Sequence, residues 1–253
     1  MYVACSTLCF GSKPFGEAMK TIRDYQFPKV DLVVRPDGPH LTPADVLAGP
    51  TQVAQRLKAQ NVPVAAISLT ASAPDGIVAR AELKACCRLA RLLSVPLVAV
   101  PAAPLGSDFE TEVGRLTDWV KIANAEGVIL TVETHSATLT ADPTVALELC
   151  RSVRGLGITL DPSHYHSGPN GPANYDPLFP FVRHVRLRDS GPRPDQFQVQ
   201  VGQGDVEYGR IVNQLDRCHY DRALTVDVRD VPPPGFPVDS EVRKLKYLLE
   251  SLV

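Results

Sequence analysis

Nowhere in the 253 residues is there an uninterrupted run of about 18 apolar side chains, so no segment reads as a membrane span. Positive charge is not in excess either: 26 Lys and Arg stand against 28 Asp and Glu, a formal net charge of −2, with no local basic cluster. A surface so balanced cannot generate the positive field that a phosphate backbone requires, which argues against nucleic acid as a partner. The six cysteines, Cys5, Cys9, Cys86, Cys87, Cys150 and Cys218, include no C-x-x-C pair. Neither a zinc ribbon nor a redox dithiol is expected; reduced, mostly buried thiols are. The opening Met1-Tyr2-Val3-Ala4-Cys5 has neither the basic region nor the long apolar stretch of a secretion signal. It reads as a first strand, and the expected location is cytoplasmic.

Proline, by contrast, is in surplus: 23 of 253 residues, about 9% against a usual value of about 5%. In Thr42-Pro43, Asp142-Pro143 and Asp176-Pro177 it follows a capping residue, where its missing N–H is harmless and its fixed φ suits a first helical position. Other prolines fill residues 167–172, 191–194 and 231–237, expected to be stiff connections with little lid motion. Short β-branched runs recur at 2–5, 30–34, 64–69, 97–100, 129–133, 157–161, 182–187 and 223–228, with helical patterns between them. After the fourth run, Ser107-Asp108-Phe109-Glu110 reads as a capping box, followed by Val113, Leu116, Val120 and Ala123 on one face. The last helix repeats the pattern with Val242, Leu245, Leu249 and Leu252. Eight strand-then-helix units predict an α/β chain forming a single (β/α)8 TIM barrel over residues 1–253. An open doubly wound sheet would place a glycine-rich fingerprint after the first strand, and Ser6-Thr7-Leu8-Cys9-Phe10-Gly11 is not one.

Three strand ends share one pattern: Leu130-Thr131-Val132-Glu133, Ile158-Thr159-Leu160-Asp161 and Leu224-Thr225-Val226-Asp227. With the aliphatic positions facing the helices, alternation turns Thr131, Thr159 and Thr225 into the barrel and sets Glu133, Asp161 and Asp227 one layer above. Three carboxylates then converge at the C-terminal mouth, where barrel enzymes carry their chemistry. The seventh strand, His184-Val185-Arg186-Leu187-Arg188-Asp189, sends His184, Arg186 and Arg188 inward by the same rule, with Arg186 in the carboxylate layer. Buried charges need partners, and Arg186 and the acids can supply one another. Either the acids bind a divalent cation or act as acid and base on a small polyol, or they form a structural ion network with Arg186. Their common position at strand ends favours the former. His135, His164 and His166 follow the fifth and sixth strands, His40 follows the second, and His219, near a helix end, reads as structural. Asp161-Pro162-Ser163-His164 offers a carboxylate and an imidazole from one short turn, a ligand and proton-transfer pair.

These features resemble the xylose isomerase-like (β/α)8 barrels, the sugar-phosphate isomerases and epimerases. The resemblance rests on Val132-Glu133-Thr134-His135, the Leu160-Asp161-Pro162-Ser163-His164 turn, the seventh strand, Gly202-Gln203-Gly204-Asp205-Val206-Glu207-Tyr208-Gly209-Arg210-Ile211, and Thr225-Val226-Asp227. It implies a divalent metal on acids of strands five, six and eight, which transfer to Glu133, Asp161 and Asp227, plus a seventh-strand His, whose position Arg186 takes. A guanidinium has no acceptor and stays protonated, so Arg186 cannot ligate a cation. Asp227 is also one methylene shorter than the family's Glu. The implied site is depleted, and a metal retained there is expected to be Mn²⁺ or Mg²⁺. The family's proton transfer next to a carbonyl would assign Glu133 and Asp227 as the acid/base pair, and Arg186, Arg188 or His164 to the enediolate oxygen. His135, His166, Arg188 and Asp189 are the expected contacts to substrate.

The expected function is isomerisation or epimerisation of a sugar or sugar derivative. A lyase or dehydratase on the same scaffold stays open, as does a non-catalytic carbohydrate-binding or regulatory barrel in which Arg186 has replaced the metal. A DNA-repair endonuclease would need a larger metal cluster and a basic face, and both are missing. The expected partner is a small carbohydrate, with neither nucleic acid nor membrane, and self-association stays open. No glycine-rich phosphate cradle stands out, so a free sugar fits as well as a phosphorylated one.

Overall fold

Aliphatic runs bounded by polar turns build β1 (Tyr2–Ser6), β2 (Val30–Val34), β3 (Val64–Leu69), β4 (Leu97–Pro101), β5 (Ile129–Glu133), β6 (Gly157–Leu160), β7 (Val182–Leu187) and β8 (Ala223–Val226). The computed structural model describes residues 1–253 except Pro169, Asn170 and Pro172. Neighbouring strands are parallel, and β8 pairs back onto β1 with Tyr2 opposite Ala223, which closes an eight-stranded barrel. Around it run α1 (Phe15–Asp24), α2 (Pro43–Ala48), α3 (Pro50–Lys58), α4 (Ile77–Leu92), α5 (Phe109–Ala125), α6 (Pro143–Ser152), α7 (Ser163–His166), α8 (Tyr208–Arg217) and α9 (Val238–Glu250). The chain is thus the expected (β/α)8 TIM barrel. Among the described residues, no helix is long and apolar enough to cross a membrane.

Strand alternation sorts the side chains by face. Leu32, Ile67, Val98, Leu130, Ile158, Val185 and Leu224 join the main apolar core with the helices. Inside the barrel, Ala4, Ala65 and Ala223 make a small floor against which Tyr2 packs. Polar layers lie above it. The register slips between Val30 and Asp31 and between Ile158 and Thr159, beside two inward polar positions.

Helix starts follow the expected chemistry in two of the three Pro pairs. Thr42 and Asp45 form a reciprocal capping box ahead of Pro43, and Asp142 caps α6 ahead of Pro143. Asp176-Pro177 instead lies inside a 3-10 turn, Asp176–Phe181, whose first N–H is met by Asn174 Oδ1 at 3.0 Å. The box expected at Ser107 and Glu110 is also displaced by one residue. Asp108 caps α5, accepting from Thr111 N at 2.8 Å and Thr111 Oγ1 at 2.6 Å. A carboxylate at the positive end of the helix is the stronger acceptor. Val113 is only half-buried, and Trp119 takes a place in the buried face that the apolar spacing had not assigned to it. Val242, Leu245 and Leu249 are fully buried on α9, whereas Leu252 lies beyond the helix end. Five of the six free cysteines are buried; Cys218 is exposed. Three residues of the proline-rich 167–172 connection expected to be stiff, Pro169, Asn170 and Pro172, lie outside the described residues.

Candidate functional site

The strand ends bring the expected polar groups together in layers. In the lower layer the Thr131 and Thr159 hydroxyls are 2.7 Å apart, and Thr225 Oγ1 lies 3.4 Å from His184 Nε2. His184 Nε2 is also 2.9 Å from Asp31 Oδ2. Asp31 was missed by the sequence reading. Its signal was a lone charge inside the aliphatic run Val30-Asp31-Leu32-Val33-Val34, at a fully buried position.

One layer higher, two guanidinium groups divide four carboxylates. Arg186 donates from Nε to Asp31 Oδ2 at 2.7 Å, from Nη1 to Glu133 Oε1 at 3.0 Å, and from Nη2 to Ser68 Oγ at 2.5 Å. Ser68, a second unexpected member, donates in turn to Glu133 Oε1 at 2.5 Å. Arg188 uses a single nitrogen, Nη2, for both Asp161 Oδ2, at 2.9 Å, and Asp227 Oδ2. Its Nε donates to the Asp227 carbonyl at 3.0 Å. Arg229, also unforeseen, adds Nε and Nη2 contacts to Asp227 Oδ2 at 3.2 and 3.1 Å.

The two clusters differ in access to solvent. The side chains of Arg188 and Asp227 are 0% exposed and that of Asp161 is 6% exposed, whereas Glu133 reaches 19%. Among the described residues Glu133 Oε2 accepts no hydrogen bond, because both donors meet Oε1. Burial pushes the Asp227 carboxyl up, but Arg229, Arg188 and Arg186 overrule it and hold the group well below the usual carboxylate range. Asp161 is lowered in the same way, against burial, by Arg188, and Asp31 by Arg186 and His184.

Two histidines stand over these acids, and both are neutral. Burial pushes the His164 imidazole down to about 3 and also lowers that of His135. Backbone groups fix their tautomers. Ser136 N donates to His164 Nδ1 at 3.2 Å, and Ala137 N donates to His135 Nδ1 at 3.1 Å, so each ring carries its proton on Nε2. His164 Nε2 is 3.8 Å from Asp161 Oδ2, too far for a hydrogen bond. The rings of His135 and His164 pack at a tilt with centroids 4.1 Å apart, Phe197 packs against His164 at 4.6 Å, also tilted, and the Arg188 guanidinium lies 4.6 Å from the same phenyl ring. Phe197 therefore roofs the Arg188 cluster.

A cavity of about 520 Å³ opens at the mouth, with Arg35, Asp37, Phe197, Gln198, Arg229 and the 231–234 loop among its walls. Glu133 is not one of its lining residues. The cavity meets the charged centre through Arg229 and Phe197. Gln198 steadies that wall, its amide pairing with both Arg229 N, at 2.7 Å, and Arg229 O, at 2.8 Å.

Other expected contacts sit elsewhere. His166 lines a separate cavity with Tyr175, Asp176, Glu207 and Arg210. Asp189 is 2% exposed, and its carboxylate accepts from Ser190 N, Gly202 N and Gly204 N at 3.0, 2.7 and 3.1 Å. It anchors a loop and offers little to a substrate. A Cβ on Gly204 would come within 2.3 Å of Asp189 Oδ1 and 2.6 Å of Ser190 O, which is why the Gly-Gln-Gly segment tolerates no side chain there. His40 also has a local partner, with Nε2 3.0 Å from Lys13 O.

The metal expected on Glu133, Asp161 and Asp227 does not fit this arrangement. Among the described residues, no three or more His, Cys, Asp and Glu side chains form a group able to hold a metal ion. Each of the three acids is already engaged by a guanidinium, Glu133 by Arg186 and both Asp161 and Asp227 by Arg188. Asp227, expected as a second acid/base, has a carboxylate with no exposed surface.

A closed parallel barrel with a charged C-terminal mouth defines a TIM-barrel chain whose polar groups sit where this fold carries its sites. The family model for the xylose isomerase-like TIM barrel matches residues 19–248, and the chain belongs to that family. Among solved structures, a D-tagatose 3-epimerase-like protein is 18% identical, with 100% of this chain and 98% of that chain covered and a TM-score of 0.75. The IOLI protein with a zinc atom bound is 14% identical over 100% and 98% of the two chains, TM-score 0.77. A xylose isomerase-like TIM barrel protein from Mycobacterium smegmatis, in complex with magnesium, is 15% identical over the same shares, TM-score 0.75. No curated protein sequence matches the chain significantly.

Proposed function

We propose that the chain is an isomerase of a small carbohydrate, working by proton transfer next to a carbonyl with Glu133 as its base. The observation that carries this reading is the asymmetry of Glu133: Oε1 is fixed by Ser68 and Arg186, while Oε2 accepts no hydrogen bond among the described residues and the side chain is 19% exposed. A carboxylate held by one oxygen is oriented without losing the lone pair that takes the proton. Oε2 would remove the proton from the hydroxyl-bearing carbon beside the carbonyl, and the electron pair would move into an enediolate. The neutral Nε2–H of His135, half-buried at the rim, and the Arg186 guanidinium would face the oxygen that gains charge. Glu133 would then return the proton to the adjacent carbon, while the hydroxyl proton of the enediolate passes across to the former carbonyl oxygen, so that the neighbouring hydroxyl becomes the new carbonyl.

Of the three strand-end acids Glu133 is the accessible one, which favours isomerisation over epimerisation. A 1,2-shift can use a single base on one face of the enediolate, whereas inversion at a carbon needs a proton delivered from the opposite face. Asp227, which the sequence reading cast in that second role, is sealed. The D-tagatose 3-epimerase-like neighbour supports a small-sugar substrate class. A second reading, a barrel that binds a carbohydrate without turning it over, is favoured by the position of the 520 Å³ cavity, whose walls exclude Glu133.

Incubation of a panel of aldoses and ketoses in D₂O separates these readings. Isomerisation predicts deuterium beside the carbonyl and a product of unchanged skeleton, with exchange reduced by about 10²-fold or more in Glu133→Gln. A product lighter by water would indicate dehydration instead. Saturable sugar binding without exchange, unchanged in Glu133→Gln, would establish the binding module and overturn the isomerase.

A further inference from the structure

We infer that Arg188 is an internal replacement for a divalent cation, and that the mouth is built to hold its acids together without one. The sequence reading gave this role to Arg186, but the geometry divides it differently. A cation bridging strands six and eight would sit between Asp161 Oδ2 and Asp227 Oδ2, and those two oxygens converge on the same atom, Arg188 Nη2. Arg186 serves a different pair, joining Asp31 to Glu133. It also takes the strand position from which a histidine ligand would be expected, with a group that has no lone pair to give.

Three features make Arg188 a fixture of the mouth. Its side chain is 0% exposed. Its Nε is tied to the Asp227 carbonyl, which sets the guanidinium plane, and Phe197 covers it at 4.6 Å. Arg229 supplies a further positive group on Asp227, so the four acids Asp31, Glu133, Asp161 and Asp227 face three guanidinium groups before any ion is added. A divalent ion entering here would have to displace a hydrogen-bonded cation from two buried carboxylates. This inference concerns ion binding alone and does not depend on the chain being an enzyme.

Titration of the purified full chain with Mn²⁺ and with Zn²⁺ by calorimetry, with metal content measured after dialysis, tests it. The wild type is expected to show no saturable site at Asp161, and the double substitution Arg186→His with Arg188→Gln is expected to take up one ion per chain and to melt higher when Mn²⁺ is present. Wild-type binding of one ion per chain with Kd below about 0.1 mM, lost in Asp161→Asn, would overturn the inference. A double variant that keeps its folded circular dichroism yet takes up no ion would overturn it too, because something other than the guanidinium groups would then exclude the cation. Should the double variant not fold, the wild-type titration with its Asp161→Asn control decides alone.

Discussion

The mouth of this barrel contains two arginine-centred clusters, built from the same residue types and differing in their access to water. Around Arg186, one carboxylate is buried beside a histidine and the other, Glu133, keeps an oxygen free at the rim. Around Arg188, both carboxylates are sealed under Phe197 and share one nitrogen. Acids that share a strand-end position therefore differ in how much of the carboxylate is open to solvent. What separates a candidate base from a structural ion pair is whether its remaining lone pairs still face outward.

The largest effect should come from emptying the sealed cluster. Arg188→Ala leaves Asp161 and Asp227 buried without their shared cation, and denaturant unfolding should register a loss of about 3–5 kcal/mol. Arg186→Ala should cost less, about 2–3 kcal/mol, because His184 stays beside Asp31 and Glu133 can hydrate. Equal losses from the two variants would erase the distinction between the clusters.

Acidity probes the same contrast. The His164 imidazole is pushed down to about 3, so the unfolded chain takes up this proton first, and stability falls as pH drops below the ordinary histidine range. From about pH 7.5 to pH 5 this single group should remove about 2 kcal/mol, and His164→Gln should flatten that slope. His135 contributes with the same sign. Asp31, Asp161 and Asp227, all lowered, act in a different window: their stabilisation is complete above the usual carboxylate range and is lost only as pH falls through it. A stability profile flat down to about pH 5 would contradict the neutral, buried His164.

The smallest structural effect belongs to Glu133→Gln. The amide oxygen can keep the Ser68 and Arg186 contacts at a partly exposed position, so the change in unfolding free energy should stay below about 1 kcal/mol. Its consequence should be confined to proton exchange. A large destabilisation would move Glu133 from the reactive class to the structural one.

Much of this architecture was legible in the chain itself. Strand alternation is local, so Thr131, Thr159 and Thr225 could be placed inside the barrel, and Glu133, Asp161, Asp227, Arg186 and Arg188 at its mouth, from spacing alone. Asp31 and Ser68 obey the same rule and were overlooked because each is a single polar residue in a strand without a repeated motif. Phe197 and Arg229 lie past the strand ends, where alternation no longer sets direction. The loop capped by Asp189 was equally hidden, since three backbone N–H groups leave no mark on residue type.

The amino-acid sequence by itself determined the barrel, the layer in which the charges lie and the guanidinium of Arg186 on the seventh strand, because hydrophobic period and side-chain chemistry are properties of single strands and single residues. Only the tertiary structure decided which arginine serves which acid. Pairing depends on barrel closure, which brings β2 within reach of β7 and lays the loop after β7 over the ends of β6 and β8. From that closure come a sealed Asp161–Arg188–Asp227 unit and an open Glu133, a difference of a few ångströms that no spacing in the chain encodes.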